Sequence, residues 1–164
     1  MSAKKTRQVR IEFRDDEGRA ERLLASPVGE DTYRLEGSPS FAYSVSTGDV
    51  VRAERGTSSR LRFVEVKKKS GNRTLRLLFS RFGVTSEAAR FILDELEQLG
   101  CRHEHAQEYV LCISVPRKVE MVAVLDFLKT LGMWWEHADP TAEEFYAPDK
   151  AGSMRRPTRK RTAR

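Results

Sequence analysis

An α+β protein is expected from this sequence: a small N-terminal antiparallel β-barrel-like unit followed by a ferredoxin-like βαββαβ unit. Two observations predict it. Between Val9 and Gly71, short runs of alternating apolar and polar residues are separated by turn residues, the mark of half-buried strands. Beyond Ser70-Gly71-Asn72 the period changes, and two apolar stripes at helical spacing stand among four further strand-like runs. The expected organisation is a basic arm over 1–8, an all-β subdomain over 9–72, a ferredoxin-like subdomain over 73–146 and a flexible basic tail over 147–164.

In the first unit, VRIEF, RLLASPV, TYRLEG, DVVRAERG and LRFVEVKK are the five strands. Their boundaries are Asp15-Asp16-Glu17-Gly18, Gly29-Glu30-Asp31, Ser38-Pro39-Ser40, Thr47-Gly48 and Gly56-Thr57-Ser58-Ser59, all turn chemistry. Strands this short bury one face each, which nominates Val9, Ile11, Phe13, Leu35, Val51, Phe63 and Val66 for a common core. In the second unit Thr74 to Phe79 is a strand, and Thr85-Ser86-Glu87 supplies an N-cap with an acid in the first turn of a helix. Ala89, Ile92, Leu93, Leu96 and Leu99 then recur at helical spacing until Gly100. Cys101 to Ala106 and Tyr109 to Val115 read as a hairpin turning at Gln107-Glu108, closed by Pro116, which cannot donate to a ladder. Met121, Val124, Leu125, Leu128 and Leu131 repeat the helical stripe before Gly132, and Trp134 to Ala138 is the last strand. Strand, helix, strand, strand, helix, strand is the split βαβ arrangement.

Composition bounds the function classes. The 164 residues are 39% hydrophobic and 33% charged, the balance of a globular chain. No apolar run approaches the roughly 20 residues of a membrane span, and MSAKKTRQVR has no apolar stretch behind it of the kind a secretory signal needs. A cytoplasmic location is the expectation, with Cys101 and Cys112 reduced. The net charge of +6 sits at the ends: Arg155, Arg156, Arg159, Lys160, Arg161 and Arg164 carry all of it, leaving residues 1–150 at 24 basic against 24 acidic. Such a tail attracts polyanions through counterion release or serves as a solubilising extension.

YRLEGSPSFAYSVSTGDVV, followed by RTLRLLF, ILDELEQLGC and ISVP, resembles an uncharacterised bacterial domain family, one of the domains of unknown function, over about residues 9–144. The resemblance implies a shared fold and brings no catalytic residues. The basic tail lies outside it.

Three constellations could carry chemistry. Cys101, His103 and His105 alternate along one strand and so share a face; with the hairpin turning at Gln107-Glu108, His103 pairs with Cys112 and the four form a candidate metal site or a Cys/His catalytic pair. His137 would lie about three strand spacings away, on the order of 14 Å, too far to join them. A slip of one residue would separate thiol and imidazole, and the simpler reading is of polar residues on the less buried face of an edge strand. Second, Lys67, Lys68, Lys69, Arg73 and Arg76 make a basic segment near Phe79, candidates with the tail for contacting nucleic acid. Third, one of Trp134 and Trp135 must point outward and can mark a contact surface. No phosphate-cradling loop and no cofactor motif occur, so no cofactor is expected. The expected function is that of a non-enzymatic binding or regulatory protein whose basic ends engage nucleic acid or another acidic partner. Masking of a toxin, as in immunity or antitoxin proteins, is the alternative, and a small metal-binding protein or Cys/His enzyme the second alternative.

Overall fold

The structure, a computed structural model, describes residues 7–79, 86–105 and 109–147. The tail arginines, Lys4 and Lys5, Arg81 and Phe82, and the turn at Gln107-Glu108 lie outside the described residues. The fold is mixed α+β and rich in strand. β1 (Val9–Arg14), β2 (Ala20–Pro27), β3 (Thr32–Leu35), β4 (Val50–Arg55) and β5 (Leu61–Lys68) form a closed barrel in that order, antiparallel except where β5 returns beside β1 in parallel. Ile11, Phe13, Ala25, Leu35, Val51, Ala53 and Leu61 fill it, and Phe13 stacks on Phe63 at 4.7 Å between ring centroids. Val9, Phe63 and Val66 pack against this core half-buried. The β1–β2 turn is fixed by Asp15, whose Oδ1 accepts from the backbone N–H groups of Arg19 and Glu17 at 2.8 and 3.1 Å, while Gly18 takes a positive φ of 84° that a side chain would strain.

The second half is a four-stranded antiparallel sheet in the order β7-β8-β6-β9, built from β6 (Arg73–Leu78), β7 (Arg102–His105), β8 (Val110–Val115) and β9 (Trp134–Asp139). Helix α1 (Glu87–Gln98) starts where the Ser86 hydroxyl accepts from the Ala89 N–H, and buries Ala89, Ile92 and Leu96. Helix α2 (Met121–Thr130) buries Met121, Val124, Leu125 and Leu128. Both pack on Leu75, Leu77, Leu111, Ile113 and Val115 of the sheet. A third, short helix, α3 (Ala142–Tyr146), was not expected; a capping box between Thr141 and Glu144 starts it.

The hairpin register differs from the expected one by one residue. Glu104, not His103, pairs with Cys112; His103 lies opposite Ile113 and His105 opposite Leu111. Pairing with Ile113 rather than Cys112 puts His103 on the helix side of the sheet, and the Cys112 thiol on the other. That other side is also covered, which is the second departure from an edge sheet with one wet face. Thr74, Arg76, Cys112 and Ser114 are all buried there, against the segment 38–49 that joins β3 to β4. Buried polar groups call for partners, and most of those between the sheet and this segment have them. Ser46 Oγ donates to Asp139 at 2.5 Å and contacts the Thr74 hydroxyl at 2.8 Å; Lys69 reaches Asp49 and Asp139 at 2.6 and 2.5 Å; Glu104 accepts from the Ser38 N–H and the Thr47 hydroxyl at 3.0 and 3.1 Å. Hydrogen bonds therefore fasten the barrel to the face of the sheet opposite the helices.

Candidate polyanion interface

Strand alternation decides which side chains the barrel shows to solvent. Because Ile11 and Phe13 point inward, Arg10, Glu12 and Arg14 point outward on β1. The pairing of β1 with β2 places Arg22 beside Glu12, and the parallel pairing with β5 places Arg62 on its other side. Arg14 Nε donates to Glu12 at 2.7 Å, and guanidinium nitrogens of Arg22, Arg60 and Arg62 stand 3.7 to 3.8 Å from the same carboxylate. Glu12 is 3% exposed beneath them, whereas each of these arginines is about half exposed. The hydrogen bond from Arg14, with the charges of Arg14, Arg60 and Arg62, holds the Glu12 carboxyl below its ordinary range, so it stays ionised.

One carboxylate cannot neutralise four guanidiniums. Arg10 and Arg55 join Arg22 and Arg60 around a shallow depression of about 210 Å³ beside Glu12, so six arginines gather around this carboxylate, with Glu54 opposite Arg62 at the edge and turned to Arg52. Arg55 is held at the β4–β5 turn by donating to the Ser59 carbonyl at 3.1 Å. The neighbouring Arg52 is spoken for by Glu54 and Glu65. What remains is a field of like charges, preorganised by Glu12, whose donors point at solvent. Arginine's planar fork suits such a surface to phosphate or carboxylate groups.

The basic residues singled out in the sequence are placed differently. Lys67 and Lys68 are exposed on β5. Lys69 is engaged with Asp49 and Asp139, which raise its pKa against the lowering effect of burial. Arg73 donates to the carbonyls of Pro116 and Val119, inside the protein. Arg76 is 1% exposed; it donates to the carbonyls of Pro39 and Ala42 and to Glu136 at 2.9 Å, and it lies 4.8 Å from the Tyr43 ring centroid. These three side chains work as clamps between segments, Arg76 buried, Arg73 half-buried and Lys69 at the surface. The arginine wall was missed because alternation marks Arg10 and Arg14 as outward, but it takes the β1–β2 register to bring Arg22 beside Glu12 and the closure of β5 on β1 to bring Arg60 and Arg62.

The Cys/His cluster is dispersed by the register. Cys101 lies in the helix-side core, His103 pairs with Glu97 at 3.0 Å, and Cys112 contacts the Pro39 carbonyl on the opposite side of the sheet. Burial pushes both thiols up to about 11, where they are protonated and poorly nucleophilic at neutral pH. Among the described residues no three His, Cys, Asp or Glu side chains converge as metal ligands. No described helix is long and apolar enough to cross a membrane. Trp134 is 80% exposed on β9, while Trp135 packs on the helix-side core.

Comparison with known proteins gives a family and a fold. A family described as a domain of unknown function (DUF4265) matches residues 21–136. A solved structure titled "Novel crystal structure of a hypothetical protein from Neisseria gonorrhoeae" is similar in fold, with a TM-score of 0.61 at 18% identity over 84% of this chain and 97% of that one. No curated protein matches.

Proposed function

The chain belongs to the DUF4265 family of unknown function, and from its geometry we propose that it acts without catalysis, as a binding protein for an acidic partner, nucleic acid being the simplest. The observation that carries this is the arginine wall, in which four half-exposed guanidiniums stand within 4 Å of one ionised carboxylate and Arg10 and Arg55 line the depression beside it. The basic termini, Arg155 to Arg164 and the arm before Val9, extend the same attraction. In this reading the protein resides in the cytoplasm, and its second half is a ferredoxin-like unit, supported by the strand order β7-β8-β6-β9 with two helices on one face. Anisotropy of a labelled oligonucleotide, titrated with the full chain, tests it. Binding should weaken with salt at a slope of log K against log salt of roughly −3 to −5, as for about four to six neutralised phosphates. Arg22→Glu with Arg62→Glu should lower both affinity and slope, and deletion of 152–164 should lower them further. No binding by the intact protein at about 50 mM salt would overturn the proposal.

A second reading, masking of a toxin surface, is favoured by one feature: Trp134 pairs with Leu78 at the sheet edge, and both are exposed near Tyr109. A partner protein captured through Trp134 and released by Trp134→Ser would support it.

A further inference from the structure

We propose that the barrel mouth beside the arginine wall is a base-stacking pocket, so that the partner is single-stranded nucleic acid rather than duplex; this rests on the polyanion reading above. A cleft of about 420 Å³ opens where the β1–β2 turn meets the segment 38–45, lined by Phe41, Tyr43 and Phe63, with Phe13 buried at its floor against Phe63. Arg14 lines it as well, and Arg14 is also the donor that binds Glu12 in the wall, so the two features are continuous. A duplex hides its base faces, whereas a single strand offers each base to an aromatic ring with its phosphate one bond system away.

The pocket is built rather than incidental. Phe41 and Tyr43 sit on a loop with no strand or helix of its own, yet that loop is held at every turn. Glu21 on β2 accepts from the Ser40 N–H and hydroxyl at 2.8 and 2.7 Å and from the Phe41 N–H at 3.3 Å. From the sheet, Arg76 donates to Pro39 and Ala42, the Ser44 N–H donates to the Ala138 carbonyl at 2.8 Å, and the Tyr43 hydroxyl donates to Glu136 at 3.0 Å. Arg19 lies 5.5 Å from the Phe41 ring centroid and buttresses it. The far rim is acidic: Asp15 is occupied by Arg19, while Asp16 and Glu17 line the cleft beside it. Carboxylates repel phosphate and accept from exocyclic amino groups, so they orient a strand with its bases over the rim and its phosphates on Arg14, Arg22 and Arg62.

The test compares a fluorescein-labelled oligothymidylate and oligocytidylate of about 15 nucleotides with a duplex of equal length, using the full chain. The intact protein should bind the single strands more tightly than the duplex, oligocytidylate ahead of oligothymidylate because thymine has no exocyclic amino group to donate to the acidic rim. Phe41→Ala should weaken that binding about fivefold to a hundredfold, as expected for one lost stacking partner, with the salt slope unchanged because no phosphate contact is lost. Phe41→Trp should restore it. Should Phe41→Ala fail to fold, Phe41→Leu keeps bulk without a π-face and should show the same loss. Unchanged affinity in these folded variants while the Arg22→Glu/Arg62→Glu protein still loses binding would overturn the pocket and leave the polyanion reading standing; so would duplex bound as tightly as single strand. Failure of the intact protein to bind any of the three probes would overturn both.

Discussion

Replacing Arg76 by alanine should destabilise the protein by about 3–5 kcal/mol. The guanidinium is 1% exposed and its donors are shared among two backbone carbonyls and one carboxylate. Without it the carbonyls of Pro39 and Ala42 lose their partners where water has little access, at about 1–3 kcal/mol for each orphaned group. Glu136 is 39% exposed and returns to solvent, so its share is small. Removing one member of a buried ionic cluster falls in the same range of about 3–5 kcal/mol. For a chain near this length each kcal/mol moves the melting temperature by about 2–4 °C, so a fall of about 6–20 °C is expected. Urea denaturation followed by circular dichroism measures it directly. Arg76→Lys, which keeps the charge but replaces the fork by a single ammonium, should fall between alanine and the parent. An alanine variant within about 1 kcal/mol of the parent, with an unchanged denaturant slope, would refute the assignment of Arg76 as the clamp of the 38–46 segment.

Leu96→Ala and Leu125→Ala should each cost about 2–5 kcal/mol, because both side chains are buried between helix and sheet and leave a cavity; unchanged melting temperatures would contradict that packing. Neither thiol should react with a disulfide reagent at pH 8 in the folded protein, and both should react in denaturant, since burial holds them near 11; rapid native labelling would show the sites to be open. His137 is 6% exposed among Trp135, Phe145 and Tyr146, with neither ring nitrogen hydrogen-bonded, and burial lowers its pKa. A depressed folded pKa means that stability is fully present above the unfolded value of about 6.5 and is lost as pH falls through the folded one. His137→Phe should flatten stability against pH below about 6.5, and a variant that keeps the parent's slope there would assign the effect to other groups.

The elements were legible wherever one face of a short segment is apolar. Ile11 and Phe13 announce β1, and the stripe from Ala89 to Leu96 with Ser86 before it announces α1. Side-chain roles were legible only where they are local. Arg76 alternates with Leu75 and Leu77, which reads as a solvent-facing position unless something covers the second face of the sheet. What covers it is the 38–49 segment, whose Ser38, Ser46 and Asp49 are buried. They carry no apolar pattern and look like an ordinary surface loop, because their burial is stabilised by partners 20 to 93 residues away in the chain. The same limit applies to the hairpin of β7 and β8, where one residue of register reassigns Cys112 from His103 to Glu104. The arginine wall combines both cases: Arg10 and Arg14 follow from alternation, but Arg22 joins them through the β1–β2 register and Arg60 and Arg62 through β5 closing on β1.

Titrating the ¹⁵N-labelled full chain with a single-stranded oligothymidylate of about 15 nucleotides, at low salt, locates the binding surface directly. If the wall around Glu12 receives an acidic partner, amide shifts should be largest along β1, in β2 near Arg22 and at the start of β5 around Arg60 to Arg62, and should vanish as salt is raised. Perturbations confined to residues 147–164 or to the β6–β9 sheet, or none at all, would contradict it.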